Sequence, residues 1–210
     1  MGEHSFPTKW LIDGIDRLGK SNLVDGIQNA LGYHLVIHYD KPKLLYSDME
    51  TALEIKEHGN RSVYSHVQDL SNENLAKFLY QEDANYTMFE LLRSDARIIF
   101  DRTHLGEVVY APLYRGYSGD YVYELEEELT QDKLYTYKDD IRLIVLMSSN
   151  TDMLKDDGLS FDPTKKNEEQ NMFIEAFHKS KLENKVLIDV HDGNGGYRPY
   201  HEILKEALKY

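Results

Sequence analysis

The chain has 210 residues, of which 41% are hydrophobic and 29% are charged, as in an ordinary globular protein with a sizeable core. It contains no cysteine, which excludes disulfides, thiolate metal sites and a cysteine nucleophile. Its formal net charge of -13 is opposite to the basic surface on which non-specific nucleic-acid binding depends. We therefore expect phosphates to be bound in a local pocket, and nucleic acid is not an expected partner.

The sequence carries no signal for a membrane or for secretion. No apolar run approaches the roughly 18 residues that span a bilayer, and the N-terminal segment MGEHSFPTK has no apolar signal core. Gly2 could begin a myristoylation motif, but Phe6 stands where that motif requires Ser or Thr. We therefore expect a cytoplasmic protein with no membrane partner.

Strand and helix patterns alternate along the chain. Short apolar runs predict five strands, at residues 10–12, 33–38, 97–100, 141–147 and 186–188. Apolar residues at helical spacing lie between and after them, in stripes that contain Leu23 and Ile27, Leu75 and Phe78, Leu125 and Leu129, Met172 and Phe173, and Ile203 and Leu208. This alternation predicts one three-layer α/β domain over residues 1–210, with a parallel sheet and right-handed crossovers.

Local signals refine the helices. Gly32 is expected to end the first helix, Ser71 is a predicted N-cap, and residues 43–95 are mostly helical in character. A run of glutamates on the helix after the third strand predicts a solvated outer face, formed by Glu124, Glu126, Glu127 and Glu128.

The stretch WLIDGIDRLGKSN contains the phosphate-loop pattern G-x-x-x-x-G-K-[ST], as Gly14, Gly19, Lys20 and Ser21. The glycines allow successive backbone N–H groups to face phosphate oxygens. Lys20 is expected at the β- and γ-phosphates of ATP, and the Ser21 hydroxyl at Mg²⁺. A predicted strand before the motif and a helix after it disfavour the alternative, a glycine-rich turn with a surface lysine.

Two absences favour group transfer over hydrolysis. GTPases carry an Asn-Lys-x-Asp motif, but the only Asn-Lys pair here, Asn184-Lys185, is followed by two apolar residues. Motor-type ATPases have a second acidic residue after the Walker-B aspartate, whereas Arg102 follows Asp101.

The segments DGIDRLGKS and IIFDRTHLGEVVYAPLYRG resemble the thymidylate kinase family of nucleoside monophosphate kinases. Both hold an Asp-Arg pair, one in the phosphate loop and one at the end of the third strand. The resemblance extends to the order of strands and helices along almost the whole chain. It implies a P-loop kinase fold, with a five-stranded parallel sheet in the order 2-3-1-4-5, flanking helices and a lid, and phosphoryl transfer from ATP with Mg²⁺.

The resemblance also implies roles for single residues. Asp16 would accept a hydrogen bond from the sugar 3′-hydroxyl of the acceptor nucleotide, and Arg17 would lie over the transferring phosphoryl group. Arg102 would bind the acceptor monophosphate, and Asp101 would order the water shell of Mg²⁺. Tyr110 would pack on the sugar and disfavour a 2′-hydroxyl. Structural alternatives stay open: Asp16 could cap the loop, Arg102 could pair with a carboxylate, and Tyr110 could belong to the core.

Base recognition is expected on the helix before the third strand. In the family an aromatic side chain stacks on the base and a polar one binds its edge. Phe78 and Gln81 have suitable positions, although Phe78 suits the core equally well. Thr103 and Gly106 replace the family's usual tyrosine and serine, which leaves thymine, uracil and a 5-modified uracil open. His104 is a further candidate substrate contact.

A lid is expected at residues 150–169, after the fourth strand. It contains Lys155, Lys165 and Lys166 but no arginine. Family members of this kind keep the catalytic arginine in the phosphate loop, which favours a catalytic role for Arg17. Lys155 is expected to bind ATP, and closure of the lid would exclude water.

The sequence therefore predicts an ATP-dependent kinase that phosphorylates dTMP, dUMP or a 5-modified dUMP, and the resemblance implies a homodimer. One alternative is a kinase of the same fold that acts on a deoxynucleoside or on 5-hydroxymethyluracil within DNA, with a basic groove at Lys41, Lys43 and Arg115. Another is a non-catalytic nucleotide-binding module, which is expected to have lost Lys20 or Arg102.

Overall fold

The computed structural model describes residues 6–39, 70–132, 137–155 and 162–209, together with residues 53, 57, 58 and 68. Its strands are β1 (Lys9–Asp13), β2 (Leu35–His38), β3 (Ile98–Asp101), β4 (Ile141–Met147) and β5 (Lys185–Asp189). Its α-helices are α1 (Lys20–Leu31), α2 (Asn72–Leu92), α3 (Leu105–Tyr110), α4 (Tyr121–Gln131), α5 (Tyr137–Asp140), α6 (Lys166–Lys179) and α7 (Tyr200–Ala207). A π-helical segment (Ala111–Arg115) follows α3, and two 3-10 turns (Thr151–Met153, Pro163–Lys165) lie between β4 and α6.

The five strands form one parallel sheet in the order β2-β3-β1-β4-β5, which confirms the predicted fold class. β1 is the central strand, and its Ile12 pairs with Asp101 of β3 and with Ile144 of β4. The carboxyl ends of β1 and β3 therefore lie side by side. This register brings the phosphate loop next to the Asp101-Arg102 pair.

The core explains why the strands are apolar almost throughout. Every residue of β1 and of β3 is buried, as expected for parallel strands that are covered on both faces. Leu23 and Ile27 of α1 and Phe173 and Phe177 of α6 belong to the same core. Lys9 is also buried, and its charge is compensated by an ion pair with Asp140, the last residue of α5, directly before β4.

Two predicted helix ends are confirmed. The Ser71 hydroxyl accepts a hydrogen bond of 3.2 Å from the backbone N–H of Asn74, so Ser71 is the N-cap of α2. Gly32 ends α1 with a φ of 86°, and its N–H donates to the carbonyl oxygen of Gln28 at 2.9 Å.

The prediction of a solvated acidic face on α4 is wrong at Glu126, which is fully buried. Its carboxylate accepts hydrogen bonds from the Ser180 hydroxyl (2.7 Å) and the Lys181 backbone N–H (2.6 Å), and lies 2.7 Å from Nε2 of His104. Burial alone would raise the pKa of Glu126, but these partners hold it below its usual value. His104 is equally buried, so the prediction that it contacts substrate is also wrong.

Some predictions fall on parts of the chain that the structure does not describe. Lys41 and Lys43 of the candidate groove of the DNA alternative lie outside the described residues, as does most of 43–69. Arg115, the third residue of that groove, is described and is buried. Within the described ranges, no helix is both long enough and apolar enough to cross a membrane.

Candidate active site

The phosphate loop connects the end of β1 to the first residue of α1. Gly14 and Gly19 have φ angles of 126° and 86°, which side-chain-bearing residues rarely adopt. A Cβ on Gly14 would lie 2.4 Å from the backbone oxygen of Leu146 in β4, so only glycine fits at this position. Because α1 begins at Lys20, the free N–H groups of its first turn face the loop. The loop thus has the geometry of an anion site.

Lys20 is held inside this loop. Its Nζ donates hydrogen bonds of 2.7 Å to the carbonyl oxygens of Gly14 and Ile15, and the side chain is 8% exposed. Burial lowers the pKa of Lys20, and the Asp16 carboxylate, 3.9 Å away, opposes this effect. A cation is therefore fixed where the motif predicts phosphate binding.

Asp13 connects the loop to the residues after β3, which sequence reasoning missed. Its Oδ1 accepts from the N–H of Gly14 at 3.0 Å, and its Oδ2 accepts from both the N–H (2.9 Å) and the hydroxyl (2.6 Å) of Thr103. Burial raises the pKa of Asp13, against the effect of these bonds. Thr103 therefore serves as the hydroxyl partner of Asp13. The sequence signal that could have indicated this contact is a polar residue at or just after the end of each of the two strands, Asp13 for β1 and Thr103 for β3.

Both predicted active-site arginines have a left-handed backbone. Arg17 and Arg102 have φ angles of 75° and 71°, and they are the non-glycine residues with positive φ in the described part of the chain. Such a conformation costs about 1–3 kcal/mol and concentrates at functional sites. Nη2 of Arg102 lies 3.0 Å from Oδ1 of Asp16, so the predicted alternative that Arg102 pairs with a carboxylate is observed in this structure.

The groups around Asp101 are compatible with the expected Mg²⁺. One carboxylate oxygen, Oδ2, lies 3.1 Å from Nδ1 of His38, while the buried Oδ1 has no hydrogen-bond partner among the described residues. No cluster of three or more acidic or histidine ligands occurs in those residues. Mg²⁺ usually uses one or two protein ligands together with water and substrate phosphates, so Asp101 and the exposed hydroxyl of Ser21 are a suitable donor set.

A single cleft brings together half of the predicted catalytic and binding residues. Asp16, Arg17 and Arg102 lie at its phosphate-loop end, and α2, α3 and residues of the predicted lid range supply its other walls. Of the predicted residues the cleft is also lined by Gln81, Tyr110, Lys155 and Lys166. The predicted site residues that do not line it are Gly14, Gly19, Lys20, Ser21, Phe78 and Asp101.

Phe78 belongs to a secondary core cluster. Its side chain is 1% exposed, and its ring packs edge-on against Tyr117 and Tyr121 at centroid distances of 5.2 and 5.4 Å. The prediction that Phe78 stacks on the base is therefore wrong, and the alternative of core packing is observed. Periodicity could not separate the two, because both place an aromatic residue on the inner side of α2.

Tyr110 and Tyr114 form an aromatic wall of the cleft. Their rings are stacked at 6.2 Å, and Tyr110 also packs edge-on against Phe173 of α6. Burial, reinforced by the carboxylate of Glu169, raises the pKa of Tyr110, so its phenol is neutral at neutral pH. The Tyr114 hydroxyl donates a hydrogen bond to Glu169, and Nζ of Lys165 lies 5.2 Å from the Tyr114 ring centroid. The wall is thus tied to residues 165 and 169, at the end of the predicted lid range.

The cleft also contains a buried ion pair between Arg115 and Glu107, which the sequence did not predict. Nη2 of Arg115 lies 2.6 Å from Oε2 of Glu107, and both side chains are more than nine-tenths buried. Burial raises the pKa of Glu107, and the Arg115 guanidinium opposes this effect. Nε and Nη1 of Arg115 and Nε2 of Gln81 are buried and have no hydrogen-bond partner among the described residues. Oε1 of Glu107 is also buried without a partner among those residues, so both unbonded donors and an unbonded acceptor remain at this cleft.

The lid lysines have different environments. Lys155 is exposed and borders a second hollow, which it shares with Arg17, Gly19 and Tyr197. Lys166 donates instead to the carbonyl oxygens of Thr151 (3.2 Å) and Leu154 (3.1 Å), and so tethers the start of α6 to the segment after β4.

No family model matches the chain, and no curated protein matches it by sequence. Solved structures do resemble its fold. The YorR protein of Bacillus subtilis, solved in complex with phosphorylated GDP, is 15% identical, with 94% of this chain and 92% of that chain covered and a TM-score of 0.55. A thymidylate kinase from Ehrlichia chaffeensis is 13% identical, with 97% of this chain and 98% of that chain covered and a TM-score of 0.51. At these identities the likeness establishes the fold alone. The chain therefore has a P-loop kinase fold like that of a thymidylate kinase, as the sequence predicted.

Proposed function

We propose that this protein is an ATP-dependent deoxynucleoside monophosphate kinase that converts a pyrimidine deoxynucleotide (dTMP, dUMP or a 5-modified dUMP) to its diphosphate. The observation that carries this proposal is the convergence of Asp16, Arg17, Lys20 and Arg102 at the carboxyl ends of β1 and β3. A protein that only held a nucleoside triphosphate would need the loop and Lys20, but not the two arginines and the carboxylate beside them.

The reaction is an in-line displacement without a covalent enzyme intermediate. An oxygen of the acceptor monophosphate attacks the γ-phosphorus of ATP, the bond between that phosphorus and the β–γ bridging oxygen breaks, and ADP leaves. Lys20 and Arg17 neutralise the charge that spreads over the transferring group. Mg²⁺, when bound near Ser21 and Asp101, would neutralise charge on the β- and γ-phosphates. Catalysis on this proposal is positioning combined with charge neutralisation.

The acceptor would replace the contact between Arg102 and Asp16. Arg102 offers a planar set of donors that suits a monophosphate better than a lysine would. Asp16, released from Arg102, is then available to accept a hydrogen bond from the 3′-hydroxyl. Tyr110, in the wall beside them, is the proposed group against which a ribose 2′-hydroxyl would clash.

The unbonded donors support a base with carbonyl oxygens. Gln81 and Arg115 supply three buried donor nitrogens, while one oxygen of the Glu107 carboxylate is paired with Arg115. Thymine and uracil carry acceptors at both O2 and O4, and the Gln81 amide oxygen can accept their N3–H. Cytosine carries an exocyclic amine in place of O4 and so offers these donors one carbonyl acceptor fewer.

The proposal is tested by measuring ADP formation with Mg²⁺ and a panel of acceptors. The panel contains dTMP, dUMP, 5-hydroxymethyl-dUMP, dCMP, thymidine, and single-stranded DNA with 5-hydroxymethyluracil. We expect the three uracil-type monophosphates to stimulate ADP formation, and Lys20→Met, which preserves side-chain length, to reduce it about 10²-fold or more. Stimulation by thymidine or DNA alone would support the acceptor alternatives. ATP binding without stimulation by any acceptor would support a binding module.

A further inference from the structure

We propose that Tyr197 is a positioning residue that fixes the peptide of Arg17, and through it the placement of the arginine side chain over the transferring group. The proposal rests on the proposed function, in which Arg17 contacts that group. The Tyr197 hydroxyl donates a 2.9 Å hydrogen bond to the backbone carbonyl oxygen of Arg17, although the two residues are far apart in sequence.

Arg17 needs such a support because its backbone is in the left-handed region, with a φ of 75°. A non-glycine residue holds this conformation only where its surroundings impose it. Lys20 fixes the first part of the loop through its hydrogen bonds to the carbonyl oxygens of Gly14 and Ile15. The bond from Tyr197 fixes the peptide that follows Arg17, which Lys20 does not contact in the hydrogen bonds described.

Tyr197 is itself held by an ordered turn after β5. Asp192 accepts hydrogen bonds from the N–H groups of Asn194 (2.7 Å) and Gly196 (2.9 Å), and His191 and Tyr197 form an antiparallel bridge. Nη1 of Arg198 donates to the carbonyl oxygen of Asp189 at 2.8 Å. The backbone is therefore fixed on both sides of Tyr197, which holds its phenol in place.

Tyr200 provides a matched control in the same segment. Its hydroxyl donates a 2.7 Å hydrogen bond to the carbonyl oxygen of Asn22, inside α1, and Gly26 leaves room for the ring, since a Cβ there would lie 1.7 Å from that hydroxyl. Each tyrosine has a half-exposed ring and donates its hydroxyl hydrogen bond to a backbone carbonyl oxygen. They differ in that Tyr197 holds the strained loop residue and Tyr200 holds the helix after it.

The test compares Tyr197→Phe with Tyr200→Phe, each alone and combined with Arg17→Ala. We expect Tyr197→Phe to lower kcat about 5-fold to 10-fold, the effect of one lost hydrogen bond, with the KM values for ATP and acceptor unchanged. Tyr200→Phe should leave kcat within about 2-fold, and Tyr197→Phe should have no further effect once Arg17 is alanine. Equal losses in both single variants, an equal loss in the Arg17→Ala background, or a higher KM for ATP with kcat unchanged would overturn the proposal.

A readout without activity separates this proposal from the proposed function. The backbone amide of Leu18 shares a peptide with the Arg17 carbonyl, so its NMR signal should shift or broaden in Tyr197→Phe and not in Tyr200→Phe. An unchanged Leu18 signal in Tyr197→Phe would overturn the positioning role whether or not the protein transfers phosphate. Absence of transfer in the wild type would overturn the proposed function instead.

Discussion

Nη2 of Arg102 lies 3.0 Å from Oδ1 of Asp16, so the residues proposed to bind the phosphate and the sugar of the acceptor bind each other in this structure. Both side chains are partly exposed, at 25% and 34%. Ion pairs of that exposure contribute only about 0–1 kcal/mol. An acceptor nucleotide can therefore replace this contact at little cost, and the pair holds both groups in place until it does.

Asp16→Asn tests the sugar contact. It preserves the shape of the side chain and removes the charge, so we expect the KM for the acceptor to rise about 10-fold, as for loss of a hydrogen bond to a charged group. The KM for ATP should change little. Steady-state kinetics with dTMP measure both values.

The matched control for this variant is a 2′,3′-dideoxynucleoside monophosphate, which lacks the 3′-hydroxyl. The wild type should bind this analogue more weakly than dTMP, and Asp16→Asn should bind it as the wild type does. A further loss with the analogue would show that Asp16 acts on something other than the 3′-hydroxyl.

The two arginines should be separable by kinetics. Arg17→Ala should lower kcat by about 10³-fold or more, the range measured for arginine fingers, with little change in the KM for the acceptor. Arg102→Ala should raise that KM as well as lower kcat, because it removes a charge-assisted contact to the acceptor phosphate. Small and equal effects of both changes would contradict the assigned roles.

Base selectivity should depend on Gln81. Gln81→Glu preserves length but replaces the unbonded amide donor with a carboxylate acceptor. We expect the ratio of kcat/KM for dTMP to that for dCMP to fall by about 10-fold or more, since O4 would then face a carboxylate while the N4 amine of cytosine would gain an acceptor. A ratio that does not change would place the base away from Gln81.

Phe78 should behave as a core residue. Phe78→Ala should lower the free energy of unfolding by about 3–5 kcal/mol, because it leaves a cavity beside Tyr117 and Tyr121. Phe78→Leu fills most of that volume, and we expect an acceptor KM close to that of the wild type. Denaturant titration and kinetics of the two variants provide the comparison, and a large KM increase in the leucine variant would favour base stacking after all.

Glu82 should make stability depend on pH. Burial, with a contribution from the Asp83 carboxylate, raises the pKa of Glu82 from 4.5 to about 7 in the folded protein. The folded state therefore favours the protonated form, whose stabilising effect is complete below pH 4.5 and is lost as the pH rises through about 7. Between pH 5 and pH 8, we expect the free energy of unfolding to fall more in the wild type than in Glu82→Gln. Parallel curves for the two proteins would contradict this.

The sequence predicted the sheet because its strands are local apolar runs and their order followed from the resemblance. It also identified the phosphate-loop end of the cleft, because the phosphate loop and the Asp101-Arg102 pair are short motifs. Contacts between residues far apart in the sequence could not be predicted. Asp13, at the end of β1, accepts a hydrogen bond from Thr103, which follows β3, and Glu126 is covered by residues that follow α6. Asn22, the residue after Ser21, accepts a hydrogen bond from Tyr200 at its backbone carbonyl, and nothing in the structure explains its side chain. A single domain, the lid at 150–169, the homodimer and the cytoplasmic location stay predictions.

The most direct test of the proposed function follows the transferred group itself. ATP labelled in its γ-phosphoryl group is incubated with the protein, Mg²⁺ and dTMP, dUMP or 5-hydroxymethyl-dUMP, and the products are separated. We expect the label in the β-phosphate of a deoxynucleoside diphosphate, and its loss with Arg17→Ala. Label found only in inorganic phosphate with every one of these acceptors would contradict the proposal that this protein is a nucleoside monophosphate kinase.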